Sequence, residues 1–205
     1  MCNAIMTTFK LILFFFFICI FSNACTTTLK NNIARNRLNA VTAYYTSTEK
    51  LMSNNIPDSV FQMLNLRTLS VSGMDCDLGL HSNSIPDDGI KCWMISEIPA
   101  RIENLKLLDT LSISLATFLR LPDEISTLKN LKVVILTDCL INNIDNLMSL
   151  TELTDLYLDG TAIHKLPLDI GNLKQLKYLG LVNDNIDSLE IFRIKAALPN
   201  CEVHY

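Results

Sequence analysis

From position 60 onward the apolar residues advance in a fixed step of three, three, three and two. Val60, Met63, Leu66, Leu69 and Val71 set the pattern. It returns at Ile102, Leu105, Leu108, Leu111 and Ile113, and again at Ile125, Leu128, Leu131, Val134 and Leu136. Two more copies run through Leu147, Leu150, Leu153, Leu156 and Leu158, and through Ile170, Leu173, Leu176, Leu179 and Leu181. From Ile102, successive starts lie 23, 22 and 23 residues apart. Self-similarity at such a period is the mark of a solenoid, in which each repeat is one small supersecondary unit.

The two step sizes assign the elements. A step of two, as in Leu156-Tyr157-Leu158, puts both leucines on one side of a short strand. A step of three, as in Leu147–Leu153, suits a helical or 3-10 turn with one buried stripe. Each coil therefore runs strand, turn, curved helical segment, turn, and advances by one strand spacing of ~4.8 Å. A single coil cannot bury its own stripe; stacking does. The predicted fold is an α/β solenoid with short parallel strands on the concave face and short helical or 3-10 segments on the convex face. Pro57, Pro99, Pro122 and Pro167 precede the first stripe residue by three. There a fixed φ is useful and no sheet hydrogen bond is lost. The fourth coil lacks the proline and has Asp145, two residues before Leu147, instead.

This pattern resembles the leucine-rich-repeat family in its short form of about 23 residues, over roughly residues 56–205. The resemblance implies a horseshoe segment whose concave face meets protein or peptide ligands. The family places Asn three positions after the last strand leucine, where its amide binds neighbouring loops. Here that slot holds Met74, Ala116, Cys139, Thr161 and Asp184. Thr, Cys and Asp can replace the amide in part, whereas Met and Ala cannot, so looser loops are expected in the first two coils. The ending LPNCEVHY resembles the C-terminal cap of bacterial leucine-rich-repeat lipoproteins.

The ends carry helix signals of their own. Thr46-Ser-Thr-Glu49 has the form of a capping box opening a short helix before Ile56. Asp187-Ser-Leu-Glu190 is a second, opening a helix that stops before Pro199. Leu198, Cys201 and Val203 repeat the step of three and two and predict a terminal strand, with Glu202 and His204 facing outward.

One coil is longer than the rest. Cys76 stands 22 residues before Ile98, where the matching distance in other coils is 3. The inserted loop, residues 77–96, either carries function or elaborates the core's cover with Trp93 buried in it. Cys76 and Cys92 flank it, and an oxidising compartment would favour a disulfide between them, although connectivity does not follow from sequence. Cys139 and Cys201 read as small apolar residues on inward slots.

Residues 1–24 read as a signal peptide. Lys10 precedes the apolar run Leu11–Phe21, and Ser22-Asn23-Ala24-Cys25 follows. Eleven apolar residues are too few for a bilayer core of ~30 Å, which takes about 20. Cys25 after Ala24 resembles a bacterial lipoprotein box, in which that cysteine is acylated and becomes the membrane anchor. Ser22 departs from the usual Leu of that box, and Ser-Asn-Ala would serve an ordinary signal peptidase equally well. Residues 25–45 then form a tether and linker, and 46–205 the repeat domain with its cap at 187–205. The expected location is the cell envelope or beyond it.

Charge and chemistry narrow the function. Lys10 is the one charged residue of the leader, so its removal leaves 16 basic and 21 acidic residues, a net charge of -5. That balance disfavours nucleic acid, which needs basic patches. The histidines, His81, His164 and His204, have no partner at a metal spacing, and no nucleophile elbow or phosphate loop occurs. No catalytic residue, metal or cofactor is therefore assigned.

Binding is expected where strand side chains alternate with the inward leucines: Thr110, Ser112, Val133, Ile135, Thr137, Asp155, Tyr157, Asp159, Tyr178 and Val182. Tyrosines beside aliphatic residues and carboxylates suit a basic or amphipathic peptide segment. The sequence thus reads as an exported protein-binding module. A structural envelope protein without a defined ligand, or an enzyme with a site built across coils, are the competing readings.

Overall fold

The computed structural model describes residues 38, 40–47, 53–73 and 94–205. Two compact units part at Ala40, and every element below belongs to the unit Val41–Tyr205. Its strands are β1 (Ala43–Ser47), β2 (Thr68–Ser72), β3 (Thr110–Ala116), β4 (Val133–Cys139), β5 (Asp155–Tyr157), β6 (Tyr178–Gly180) and β7 (Glu202–His204). They form one open parallel sheet in chain order, each strand paired with the next without a register slip.

Between strands the chain returns through 3-10 segments at Asp58–Gln62, Ala100–Asn104, Asp123–Thr127, Asp145–Leu147 and Ile170–Asn172. Their apolar step of three matches three residues per turn, so one side chain per turn points into the solenoid. Every stripe residue named above is buried, Leu111, Leu156 and Leu179 completely so. Burying one such leucine contributes about 1.5–3 kcal/mol, so repetition of the stripe dominates stability.

The prolines stand at the N-caps of the first three 3-10 segments with φ of -59°, -72° and -64°. Their carbonyls accept from the amides of Val60, Ile102 and Ile125 at 3.0–3.1 Å. In the fourth coil Ile144 is the N-cap and its carbonyl accepts from the Leu147 amide at 2.9 Å. Asp145 does not take the proline's role but is the first residue of the segment, its amide donating to Asn143 Oδ1 at 3.0 Å.

Chain reversal after the strands also repeats. Leu115, Asp138, Gly160 and Asn183 have positive φ, at 56°, 52°, 70° and 63°. Each immediately precedes the slot where the family places Asn. Two substitutes in that slot bond to one another: Asp184 Oδ1 accepts from the amide and the hydroxyl of Thr161. The Cys139 thiol donates to the Thr137 carbonyl at 3.3 Å. Burial pushes the Cys139 thiol up to about 11, so it stays protonated and behaves as an apolar residue.

The structure departs from expectation at both ends. Residues 43–45 belong to no tether: with Thr46 and Ser47 they form β1, so the supposed capping box begins inside a strand. β1 pairs in register with β2 and presents Tyr44 and Thr46 where later coils present leucine, which is why the stripe concealed it. The helix at the other end, α1 (Ser188–Ala197), is capped by Asp187, whose Oδ1 accepts from the Leu189 amide at 2.7 Å. The reciprocal half of the box is missing. Glu190 turns inward instead and accepts from the Leu166 amide at 2.9 Å and from Arg193 at 2.6 and 2.8 Å. Arg193 also donates to the Leu166 carbonyl, so the two side chains fasten α1 to the fifth coil. The terminal strand exists as β7, seventh in the sheet because β1 precedes the first leucine coil.

Cys25, Cys76, Cys92 and Trp93 lie outside the described residues, as does most of the insertion. At its end Ile95 is buried and bridges Ala116, and the Ser96 amide donates to the Asn54 carbonyl at 3.2 Å.

Candidate binding face

Unslipped pairing turns the outward side chains of the sheet into rows. The first row reads Ala43, Thr68, Thr110, Val133, Asp155, Tyr178, Glu202, and the second Tyr45, Ser70, Ser112, Ile135, Tyr157, Gly180, His204. A third runs Ser47, Ser72, Ser114, Thr137, with Asp159 and Val182 just past the ends of β5 and β6. All ten residues expected to bind thus stand on one surface, half-buried except for the exposed Val182. Glu202 and His204 extend this face and were not among them. The alternation around Cys201 and Val203 already marked both as outward, so the signal was present.

The face changes character along the solenoid. Early coils carry hydroxyls that satisfy one another: Ser114 Oγ donates to Ser72 Oγ at 3.0 Å, and Ser72 Oγ to the Gly73 carbonyl at 2.9 Å. Val133 and Ile135 follow as an aliphatic step. The last coils are aromatic. Tyr157 and Tyr178 have ring centroids 4.6 Å apart and tilted by 31°, and Tyr178 lies 4.9 Å from the His204 ring at 25°. Tyr157 and His204 share a row with Gly180 between them. A ring close to both lies between them in the row direction.

Carboxylates surround this ridge. In the first row Asp155 and Glu202 flank Tyr178. Asp159 reaches over Gly180, where a β-carbon would meet both its carboxylate oxygens at 2.9 Å. Its Oδ1 is held by the Val182 amide at 2.8 Å. Burial first, and then Asp159, Tyr157 and Glu202, raise the Tyr178 phenol above its ordinary value, so it keeps its proton at neutral pH. Burial, with Asp155 and Glu202, likewise pushes the Cys201 thiol up to about 11. Among the described residues no cluster of three or more His, Cys, Asp or Glu is arranged to hold a metal ion.

The fold can be placed among known proteins. A leucine-rich-repeat protein of Leptospira interrogans superposes with a TM-score of 0.60 at 28% identity, over 73% of this chain and 34% of its own. An in-register parallel sheet backed by 3-10 coils, matched to that protein, decides the class. The chain has the leucine-rich-repeat fold. A plant peptide hormone receptor, RGFR1 in complex with RGF2, matches at TM-score 0.53 and 25% identity, over 74% of this chain and 22% of its own. An internalin from Listeria monocytogenes shares the fold at TM-score 0.53 and 17% identity, over 73% and 37%. This chain therefore spans between 22% and 37% of the length of these proteins. No family model and no curated protein matches it. Among its described residues no helix is long and apolar enough to cross a membrane.

Proposed function

We propose that this protein is an exported binding module that holds a protein or peptide partner on its concave face and performs no chemistry of its own. The observation that carries the reading is the face itself: seven strands in register present hydroxyls, then Val133 and Ile135, then the tyrosines, as one continuous surface. An amphipathic surface of that kind pairs apolar contact with hydrogen bonding, the composition that interfaces favour. The peptide hormone receptor, solved with its peptide, gives the same fold a binding role in another protein.

The sequence adds a location. The leader at residues 1–24 and Cys25 after Ala24 support export, with acylation of Cys25 as the membrane anchor and residues 26–42 as the tether. In an oxidising compartment Cys76 and Cys92 would close the insertion, a bridge worth about 3 kcal/mol for a loop of that order.

Two substitutions test the binding surface. Tyr157→Ala and Ile135→Ser should leave the thermal transition in place while partners recovered with the parent protein are lost. Recovery of the same partners by both variants would remove the concave face as the site. Export and anchoring are read separately, by incorporation of labelled palmitate into the parent and its absence from Cys25→Ala.

A further inference from the structure

The binding face has an uncompensated charge. Twenty outward positions on and beside β1–β7 carry no Lys or Arg, yet Asp155, Asp159 and Glu202 crowd its last three coils. The ion pairs among the described residues lie elsewhere: Arg67 with Asp109, Arg101 with Asp58, Arg120 with Asp123 and Arg193 with Glu190. Among the described residues Glu202 pairs with His204, at 2.9 Å. Asp155 accepts from the Thr154 hydroxyl and Asp159 from the Val182 amide, and neither has a cationic partner among the described residues. Lys132 and Lys177 stand one residue ahead of β4 and β6, exposed and outside these pairs. Carboxylates gathered on a half-buried face without a counter-charge are complementary to a cation brought by the ligand.

Their placement selects the kind of cation. Tyr157, Tyr178 and His204 close their ring faces on each other, so the ridge offers ring edges, phenol oxygens and the outer face of Tyr157 beside Ile135. A guanidinium suits that relief: it is planar and weakly hydrated, lies along aromatic surface, and carries five donors for carboxylate and phenol oxygens. An ammonium is a compact, strongly hydrated point charge and uses the apolar part less. Phosphate-bearing ligands are repelled.

We propose that the Tyr157–Tyr178–His204 ridge, with Asp155, Asp159 and Glu202 around it, anchors an arginine side chain of the peptide or protein partner. The site rests on the concave-face reading given above and adds the chemistry of what binds there. It also gives β7 a role, since Glu202 and His204 complete the ring of groups.

The test uses the full chain and a fluorescein-labelled nine-residue peptide of three Gly-Gly-Arg units, followed by anisotropy. The expected result is saturable binding, at least tenfold weaker when citrulline replaces arginine and severalfold weaker with lysine. Asp155→Asn/Asp159→Asn, which leaves one acceptor oxygen on each side chain for Thr154 and Val182, should weaken the arginine peptide tenfold or more, and Tyr178→Leu comparably. Asp123→Asn/Glu124→Gln on the convex side should leave it unchanged. If the paired Asn variant does not fold, Asp155→Asn alone carries the test, with an expected loss of about threefold. Equal binding of arginine and citrulline peptides, or an equal loss from the convex variant, overturns the proposal. Should Ile135→Ser abolish partner recovery while Asp155→Asn/Asp159→Asn keeps it, the concave face stands as the binding surface and the arginine anchor falls alone.

Discussion

Asp184 receives both the amide and the hydroxyl of Thr161 through one carboxylate oxygen, at 2.7 and 3.0 Å, while its other oxygen is buried without a partner. The two residues occupy the same slot in successive coils, so this contact does between side chains what an asparagine column does along a regular solenoid. The arrangement costs something in charge. Burial outweighs the Thr161 hydrogen bonds and raises the carboxyl from 3.8 to about 6.

A carboxyl raised in the folded state favours folding while protonated and loses that contribution as the proton leaves. For Asp184 the contribution is complete below about 4 and declines as pH rises through about 6. Asp184→Asn keeps an acceptor for Thr161 and removes the charge. Its melting temperature should match the parent near pH 4 and exceed it at pH 7. The group is half-exposed and screened, so a gain of about 2–4 °C is expected. An offset that stays constant between the two pH values would show that the buried charge is not the cause.

Two glycines should respond differently to Ala. At Gly73 a β-carbon would stand 2.1 Å from the Leu115 carbonyl oxygen and 2.8 Å from its β-carbon, so backbone would have to move. Gly73→Ala is expected to cost about 3 kcal/mol. At Gly160, with φ of 70°, the obstacle is the Asp138 carboxylate, a side chain able to turn aside. Gly160→Ala should cost about 1–2 kcal/mol, mostly for the left-handed backbone. Urea unfolding of both variants measures the order; a larger loss at Gly160 would contradict it.

Truncation separates stripe from surface. Leu156 is fully buried and Leu168 is 79% exposed. Leu156→Ala should cost about 2–5 kcal/mol, and Leu168→Ala less than about 0.5 kcal/mol. Comparable losses at the two sites would mean that the leucines do not hold the coils together.

The terminal clamp is tested at Glu190. Glu190→Ala leaves the Leu166 amide and the Arg193 guanidinium without their shared acceptor and should cost about 2–3 kcal/mol. Arg193's hydrogen bonds hold the Glu190 carboxyl below its usual range, so its contribution is present above that range and lost only as pH falls through the lowered value. The destabilisation by Glu190→Ala, followed by chemical unfolding, should therefore persist from pH 7 to pH 5. A loss that vanished by pH 5 would contradict the pairing.

Much of this was legible before any coordinate. The step of three, three, three and two marks inward positions, and all of those residues are buried because periodicity and burial are the same constraint in a stacked coil. The outward rows follow from alternation along strands, so Tyr157 and Tyr178 could be placed on one face. What stayed hidden depends on contacts between distant residues. β1 carries Tyr44 and Thr46 on its inward side and shows no leucine signature. Glu190 matches a capping box in sequence, yet Arg193 and the Leu166 amide compete for it and win. The aromatic ridge needs Tyr178 to stack between Tyr157 and His204, and that requires knowing which coil lies beside which.

The most direct measurement is site-specific photocrosslinking in intact cells that express the protein. A photoreactive phenylalanine analogue is placed at Ile135 on the concave face, or at Leu168 on the convex side. Discrete adducts from position 135 and none from position 168 are expected if a partner lies along the strands. Adducts from 168 alone, or the same products from both, would mean that the concave sheet is not where this protein meets its ligand.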